Sequence, residues 1–472
     1  MAAFFVSALL KSFSQSPPPV LPCATFPLLF PPGFLSQCNE FSSLTVFLLP
    51  VACVQCGGFL LFLMRISFMN SLLIALIRAL RSHRWLRLLG CAFILSSLGN
   101  GLTQVVVFGQ LLRWNASPAT LTFTYMLATL PGFLGSLWGE HLCRRMSPLW
   151  ILILTEILGM VALIFPLYGL LSHNISALLA VQSAEALFSG MSYPALTLLF
   201  KRGLSAEELP AATAMETLIF ASQVLLGTGA GVLLFNVVSP LSMLLLDALS
   251  FSASAVLLLT TRKIFQARYA ETPPADAPIP APLRWKNYSP LQKRSILLLP
   301  ALAAVGSPAM ALLPALAQQI RPEETTGLAL PLLFARSLGQ LCGPLLLNAD
   351  KLRHYSASNG RLLLCLMLFL GGYFLLPPLS VWPVASLALI FSAHLASNMV
   401  FALGTFGVLQ NFAGRQVATA SALAWRGQVM VSAVATGTAG LLAESIGATG
   451  ALYSVSLASL AGVVILLWRY RT

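Results

Sequence analysis

Ionisable side chains inside apolar stretches are the residues of this sequence best suited to do chemistry. The N-terminal half has four acids in such stretches, whereas the C-terminal half has two arginines and no acid there. A carboxylate in a medium of low dielectric constant can bind and release a proton, and a guanidinium can hold an anion through paired hydrogen bonds. We therefore predict a site split between the halves, with Asp247 and Glu185 as the preferred proton-coupling candidates, then Glu216 and Glu156, and with Arg336 and Arg426 as substrate-binding candidates.

A structural role is the alternative for each of these groups. The acids and arginines could pair between helices or between the two halves and neutralise one another. Several neutral residues have the same two interpretations, since interhelical hydrogen bonds or packing would explain them as well as contact with a substrate. These further substrate-binding candidates are Asn100, Gln104, Gln223 and Trp425.

The composition is that of a membrane protein. Of the 472 residues, 57% are hydrophobic and 9% are charged, and the mean hydropathy is +0.85. A soluble domain carries roughly a quarter charged residues. The sequence has no nucleotide-binding Gly-Lys-Ser/Thr loop, no H-E-x-x-H and no basic-aromatic footprint for nucleic acid, and Cys53 and Cys56 form a lone C-x-x-C. We expect no enzyme activity, no cofactor, no metal site and no nucleic-acid partner.

Twelve apolar stretches are each about as long as the roughly 20 residues that a membrane span needs. A proline-rich break at 261–294 separates two sets of six. The predicted fold is therefore an all-α membrane protein with a six-helix bundle at 69–260, a linker at 261–294 and a second six-helix bundle at 295–472. The spans are predicted at 88–112, 118–139, 148–171, 174–200, 212–236, 238–260, 295–320, 325–347, 361–378, 380–409, 416–443 and 448–468.

Basic residues support this count and give an orientation. Lys and Arg are concentrated before the first span and in every second turn after it, whereas the intervening turns contain only Arg113 and Arg321. Because cytoplasmic turns are enriched in basic residues, we expect both termini to lie in the cytoplasm. Residues 70–87 are then expected to form a basic amphipathic helix on the cytoplasmic surface.

Residues 1–68 fit this plan poorly. They contain half of the cysteines and one marginal apolar stretch at 43–64. Three interpretations compete for this atypical extension: a thirteenth span, a cleaved targeting segment, or residues upstream of the true start. We favour a start at Met64 or Met69, since the segment lacks the pattern of a secretory signal.

Four motifs resemble the major facilitator superfamily, in particular its branch of drug and siderophore exporters that are similar to enterobactin and macrolide exporters. They are the loop signature at 135–145, the exit of span four with the turn that follows it at 194–216, the glycines of span five and the stretch Leu246-Asp-Ala-Leu-Ser-Phe251. The resemblance covers about 85–470. It implies that Glu140, Arg144 and Arg145 form a conformational latch between the halves, and that Gly227 and Gly231 serve helix packing.

The resemblance also implies a function. It indicates an antiporter in the bacterial inner membrane, driven by the proton motive force, which exports a small amphipathic or anionic organic molecule by alternating access. A siderophore is the first expectation for the substrate, and the chain is expected to act as a monomer in the lipid bilayer. Asn100 stands where this branch commonly has an acid and Thr228 where the antiporter pattern has proline. A multidrug efflux pump conferring drug resistance, an importer of the same fold and a lysophospholipid flippase are therefore the alternatives.

Overall fold

The structure, a computed structural model, describes residues 71–114, 124, 126–235, 237–268, 285–320, 325–378, 382–414 and 416–470. The atypical extension predicted at 1–68 and the middle of the predicted linker, 269–284, lie outside the described residues. The described chain is helical, and its one β contact is an isolated antiparallel bridge between Ser71 and Asn348.

The described N-terminal half begins with the short helix α1 (Leu72–Ser82) and the long helix α2 (Arg84–Arg113). They are followed by α3 (Gly132–Arg145), α4 (Pro148–Ala162), α5 (Ile164–Ser172), α6 (Ile175–Gly203) and α7 (Leu209–Ser222). A π-helical turn at Gln223–Thr228 joins α7 to α8 (Gly229–Leu234), and α9 (Pro240–Arg268) ends this half.

The C-terminal half comprises α10 (Pro290–Ile320), α11 (Thr325–Leu345), α12 (Leu352–Ala357), α13 (Asn359–Phe374), α14 (Pro383–Asn411) and α15 (Gln416–Arg469). Helix α15 is broken at Gly447, whose φ of 77° lies in the left-handed region that glycine adopts without strain. The break divides α15 into two helical segments, each long enough to span a membrane.

Seven of the described helical rods are long and apolar enough to cross a membrane, with α4–α5 and α7–α8 each counted as one rod. One of the seven is α15, which contains two predicted spans. The helices α6, α11 and α13 lie at the predicted spans four, eight and nine, whereas α3 overlaps predicted span two only at 132–139 and continues to Arg145. Each of the twelve predicted spans therefore overlaps a described helix, and the predicted all-α membrane fold is confirmed.

The helix ends differ from the prediction in two places. The predicted amphipathic helix at 70–87 ends at Ser82, because His83 adopts an extended conformation (ψ 105°) before α2 begins at Arg84. Helix α9 continues into the predicted linker as far as Arg268, since no proline or glycine interrupts it there. This extension is packed: Phe265 is 2% exposed, and its ring meets that of Trp85 edge-on at 5.2 Å.

Glycines allow α3 to approach α6 closely in the N-terminal half. A Cβ atom at Gly135 would overlap the carbonyl oxygen of Leu187, and one at Gly139 would lie 2.5 Å from the carbonyl oxygen of Met191. Both hypothetical Cβ atoms would lie closer to a carbonyl oxygen than a real Cβ atom does in proteins. This small-x-x-x-small spacing lets the two helix backbones touch.

The C-terminal half repeats this arrangement between α11 and α14. Cβ atoms at Gly339 and Gly343 would overlap the carbonyl oxygens of Phe391 and Leu395. All four positions lie 204 residues beyond their counterparts in α3 and α6 (135 to 339, 139 to 343, 187 to 391, 191 to 395). The two halves are thus related by an internal repeat, which fixes residue-by-residue equivalents between these helices.

Candidate functional site

Glu140 joins the two halves at one end of the bundle. Its Oε2 accepts a hydrogen bond from Nη2 of Arg426 at 2.9 Å, and its Oε1 accepts one from Nη2 of Arg144 at 2.7 Å. The side chains of Glu140 and Arg426 are 12% and 11% exposed, so the pair is largely shielded from solvent. Arg145, also predicted for the latch, is exposed. The sequence placed Arg426 among the substrate-binding candidates, and the structure places it on Glu140.

Two further contacts join the halves at this end, which we call the basic end because Arg144, Lys201 and Arg353 lie there. The ammonium group of Lys201 in α6 donates a hydrogen bond to the carbonyl oxygen of Leu409 in α14 at 2.6 Å. The backbone N–H of Leu72 in α1 donates to the carbonyl oxygen of Leu347, just after α11, at 2.8 Å. The basic end is therefore closed by three separate contacts between the halves.

Helix α1 is also tied to its own half. Its apolar residues Leu72, Leu76 and Ala79 are buried, and it packs against α7. His83 Nε2 lies 2.7 Å from Oε1 of Glu208. Burial raises the pKa of Glu208, but hydrogen bonds from His83 and from the backbone and hydroxyl of Ser205 outweigh it, so this pKa lies below its ordinary value. Helix α1 thus bridges the start of α7 and the end of α11.

Two aromatic pairs connect the halves further inside the membrane region. The ring centroids of Tyr193 in α6 and Trp425 in α15 are 4.8 Å apart, and those of Phe220 in α7 and Phe401 in α14 are 6.1 Å apart. At a rise of 1.5 Å per residue, Tyr193, Phe220 and Phe401 lie roughly 15 Å from the basic ends of their helices. The two pairs therefore form one aromatic layer beneath the contacts of the basic end.

Asp247, a preferred proton-coupling candidate, is fully buried between α9 and α2. Its carboxylate accepts hydrogen bonds from the hydroxyl of Thr103 at 2.5 Å and from that of Ser250 at 3.1 Å. Gly99 makes room for it, because a Cβ there would overlap the carboxylate. Glu156 is 5% exposed and lies beside Ser96 and Ser254 in the same region. These two acids belong to the interior of the N-terminal half.

Three acids have a buried carboxylate oxygen without a hydrogen-bond partner among the described residues: Glu156 and Glu185 each have one, and both oxygens of Glu216 lack a partner. Glu185 lies in electrostatic contact with Asp247. Glu216 is 6% exposed, and neither of its oxygens has a hydrogen-bond partner among the described residues. A buried carboxylate in that position is costly when ionised, and it is stable there as the neutral acid or with a bound cation.

Arg336 in α11 is half-buried and is in electrostatic contact with Tyr373 and His394. The Tyr373 hydroxyl is 2.8 Å from Nε2 of His394, which is fully buried. Nε of Arg336 and Nδ1 of His394 are buried without a hydrogen-bond partner. In the described part of the chain no carboxylate forms an ion pair with Arg336, whereas Arg426 pairs with Glu140.

The remaining candidates are divided between polar and packing positions. Oδ1 of Asn100 and Nε1 of Trp425 are buried without a hydrogen-bond partner, whereas Gln104 and Gln223 are half-buried. Gly227 lies against the backbone of Gly101 and Gly231 against Val105, so α2 approaches both glycines closely. No group of three metal-binding side chains occurs among the residues that the structure describes.

Sequence reasoning missed His394, Tyr373 and Lys201. A signal for His394 was present, because a histidine inside a predicted span is an ionisable group at membrane depth. Tyr373 and Lys201 carried no such signal: their roles depend on the partners His394 and the Leu409 carbonyl, which only the fold brings together.

Comparisons with solved structures show the fold: the chain has the fold seen in major facilitator superfamily transporters. It aligns with a bacterial homologue of the iron transporter ferroportin in an outward-facing state, with a TM-score of 0.61 and 18% identity over 82% of this chain and 99% of that one. It aligns similarly with the Escherichia coli fucose:proton symporter FucP in an outward conformation (TM-score 0.59, 13% identity, 82% and 98% coverage). A third such structure is the human organic anion transporter MFSD10 (TETRAN) (TM-score 0.56, 14% identity, 81% and 99% coverage).

Sequence comparisons add one relative. A segment of 71 residues is 68% identical to an uncharacterized 29.9 kDa protein in the crtE 3' region of Pseudescherichia vulneris. The segment is 15% of this chain, and the chain spans 26% of the length of that relative. No protein-family model matches the chain.

Proposed function

We propose that this protein is a secondary active transporter of the bacterial inner membrane that exports a small amphipathic or anionic organic molecule in exchange for protons. The basic end faces the cytoplasm, and both termini lie there. The observation that carries the proposal is Glu216, a buried carboxylate with no hydrogen-bond partner in the described part of the chain, which lies where the two halves meet.

The position of Glu216 follows from the periodicity of α7. Residues at i, i+4 and i+7 share one face of a helix, so Glu216 lies on the face of Phe220 and Gln223. Phe220 stacks on Phe401 of the other half at 6.1 Å. Glu216 is therefore directed toward the contact between the halves, whereas Asp247 is enclosed within one half and has two hydroxyl donors.

This position suits proton coupling. In the conformation described, the basic end is closed and the carboxylate is shielded, which favours the neutral acid. When the halves separate at that end, water reaches Glu216 and the ionised form becomes stable. A group whose preferred charge state changes with the facing state can exchange a proton once in each transport cycle. Glu216 is thus our coupling residue, ahead of Asp247 and Glu185.

Arg336 supplies the complementary charge for an anionic substrate. It is half-buried and has no carboxylate partner in the described chain, and the described acids of its half, Asp350 and Glu444, are exposed. A guanidinium binds carboxylates and similar oxyanions through paired hydrogen bonds. The aromatic layer of Tyr193, Trp425, Phe220 and Phe401 suits a substrate with rings. A siderophore, which combines oxyanions with aromatic or amphipathic parts, remains our first choice of substrate.

The test uses inverted membrane vesicles that contain the wild-type protein or the Glu216→Gln variant, with an acidified lumen. Addition of an exported siderophore should release protons from the wild-type vesicles and concentrate the compound inside. Glu216→Gln should abolish the proton release, whereas Glu444→Gln, at an exposed acid in α15, is the matched control and should retain it.

Other outcomes decide between the alternatives. Proton release with lipophilic cations in place of siderophores would indicate a multidrug pump, and uptake into right-side-out vesicles would indicate an importer. Movement of lysophospholipid between leaflets would indicate a flippase. Full proton coupling in Glu216→Gln would contradict the assigned role of this residue.

A further inference from the structure

The internal repeat shows where the C-terminal half departs from the N-terminal half. With the offset of 204 residues established by the glycine contacts, Gly132 in α3 corresponds to Arg336 in α11, and Gly190 in α6 corresponds to His394 in α14. In the N-terminal half these two glycines touch, since a Cβ at Gly190 would overlap the carbonyl oxygen of Gly132. The backbone contact between two glycines in the N-terminal half is thus replaced by the guanidinium of Arg336 and the imidazole of His394 in the C-terminal half.

The residues that replace the two glycines belong to a packed cluster around His394. The hydroxyl of Tyr373 lies 2.8 Å from Nε2 of His394, and the ring of Phe369 meets the imidazole edge-on at 5.4 Å. Gly339 keeps α11 close to it, because a Cβ there would be 3.2 Å from Cβ of His394. His394 and Tyr373 are fully buried. The imidazole is therefore held in one orientation by the helices on both sides.

The polar atoms left over in this cluster point to a ligand. Among the described residues, Nε of Arg336 and Nδ1 of His394 are buried without hydrogen-bond partners, and so is Oε1 of Gln340, one helical turn from Arg336. When the Tyr373 hydroxyl donates to Nε2, the ring proton lies on Nδ1. Two buried donors of this cluster, one of them on a charged group, then lack an acceptor among the described residues. Buried donors without acceptors are rare in proteins, and an ordered water, an ion or a bound ligand can satisfy them.

The repeat also shows which way the cluster faces. Gly132 lies against Trp425 of the opposite half, since a Cβ there would be 3.2 Å from the indole nitrogen. Arg336 occupies the equivalent position in α11, and α11 packs against α7 of the opposite half. Separation of α7 from α11 during the transport cycle would therefore give a substrate access to Arg336.

We propose that Arg336 and His394 form a subsite for a carboxylate or similar oxyanion of the transported molecule, with Tyr373 as the residue that positions His394. The subsite rests on the proposed transport function and assigns the substrate to the organic acids. The N-terminal half has glycines at the equivalent positions, so it has no second copy of this subsite there.

The experiment measures binding of two compounds of the same size to the purified protein. The probes are 2,3-dihydroxybenzoate and its uncharged amide, 2,3-dihydroxybenzamide, chosen as aryl compounds because of the aromatic layer. The wild type should bind the acid at least tenfold more tightly than the amide. Arg336→Gly with His394→Gly, which copies the glycines of the other half, should bind both equally. Tyr373→Phe, which removes only the hydroxyl, should reduce the preference about threefold to tenfold without changing the affinity for the amide.

The outcomes separate a binding role from a structural one. Thermal unfolding of each variant shows whether it is folded, and Arg336→Gln replaces the double variant if the latter does not fold. An equal affinity of the wild type for acid and amide, or a preference that persists without Arg336 and His394, overturns the subsite. If the wild-type protein releases no protons in the vesicle assay but still binds the acid more tightly than the amide, the proposed transport cycle is refuted and the subsite stands.

Discussion

The contact of Glu140 with both Arg144 and Arg426 predicts an unequal response to neutralising its members. The Glu140–Arg426 pair joins the two halves at 2.9 Å, whereas Glu140 and Arg144 are four residues apart on α3 and stay together in any conformation. Glu140→Gln removes the carboxylate and leaves Arg426 shielded and unpaired. Arg426→Gln leaves Glu140 with its second partner, Arg144. The first change should therefore open the basic end more than the second.

The magnitude follows from burial. Breaking a fully buried pair by removing one partner costs about 3–5 kcal/mol, and an exposed pair contributes about 0–1 kcal/mol. With side chains 11% and 12% exposed, we expect about 2 kcal/mol for Glu140→Gln and about 1 kcal/mol for Arg426→Gln. Because the contact exists only when the basic end is closed, these energies correspond to shifts of about 30-fold and about fivefold toward the open state.

The assay is the rate at which a cysteine inside the basic end reacts with a membrane-impermeant maleimide added from that side. Tyr193→Cys, beside Trp425, supplies the thiol in a background without the native cysteines. The rate should rise about 30-fold with Glu140→Gln and about fivefold with Arg426→Gln. Arg145→Gln is the matched control, since Arg145 is exposed, and should change the rate less than twofold. Equal rates in the three variants would refute the reasoning.

Three further predictions concern the bridge at α1 and the packing of α2. Residues paired in an antiparallel bridge have Cα atoms about 5 Å apart. Ser71→Cys with Asn348→Cys should therefore form a disulfide that stops transport, and a reductant should restore transport. Transport that continues with the disulfide formed would show that this contact does not open in the transport cycle. The pKa of Glu208 is lowered in the folded protein, so its ionised carboxylate stabilises the fold at pH values above the ordinary pKa of a glutamate. This stabilisation is lost as the pH falls through the lowered pKa. The melting-temperature difference between wild type and Glu208→Gln should accordingly be present at neutral pH and shrink as the pH falls below the ordinary pKa range of a glutamate; a difference that persists unchanged in acid would contradict this. Gly227→Ala should lower the melting temperature because a Cβ meets the backbone of Gly101, whereas Gly229→Ala, with open space around it, should not; similar melting temperatures would show that α2 is not held by this contact.

The sequence was sufficient to predict the helical membrane fold, because each span needs a long apolar run and the basic residues mark every second turn. Local signals also indicated Gly227 and Gly231 as packing positions. Long-range pairings had no such signal: Glu140 and Arg426 are 286 residues apart, and nothing near Arg426 distinguishes a latch residue from a substrate-binding one. The unsatisfied carboxylate of Glu216 and the satisfied one of Asp247 differ only through neighbours such as Thr103, which the fold supplies. The repeat that pairs Gly132 with Arg336 is likewise visible only once the backbone contacts are known.

Distances between spin labels at the two ends of the bundle test alternating access most directly. One pair, Glu207→Cys with Arg353→Cys, labels exposed positions of the two halves at the basic end, and the other, Ser176→Cys with Val384→Cys, labels exposed positions at the opposite end. Introducing Glu140→Gln should lengthen the first distance and shorten the second, because the halves rock about the aromatic layer between the two ends. Distances that stay fixed, or that change in the same direction at both ends, would contradict this mechanism.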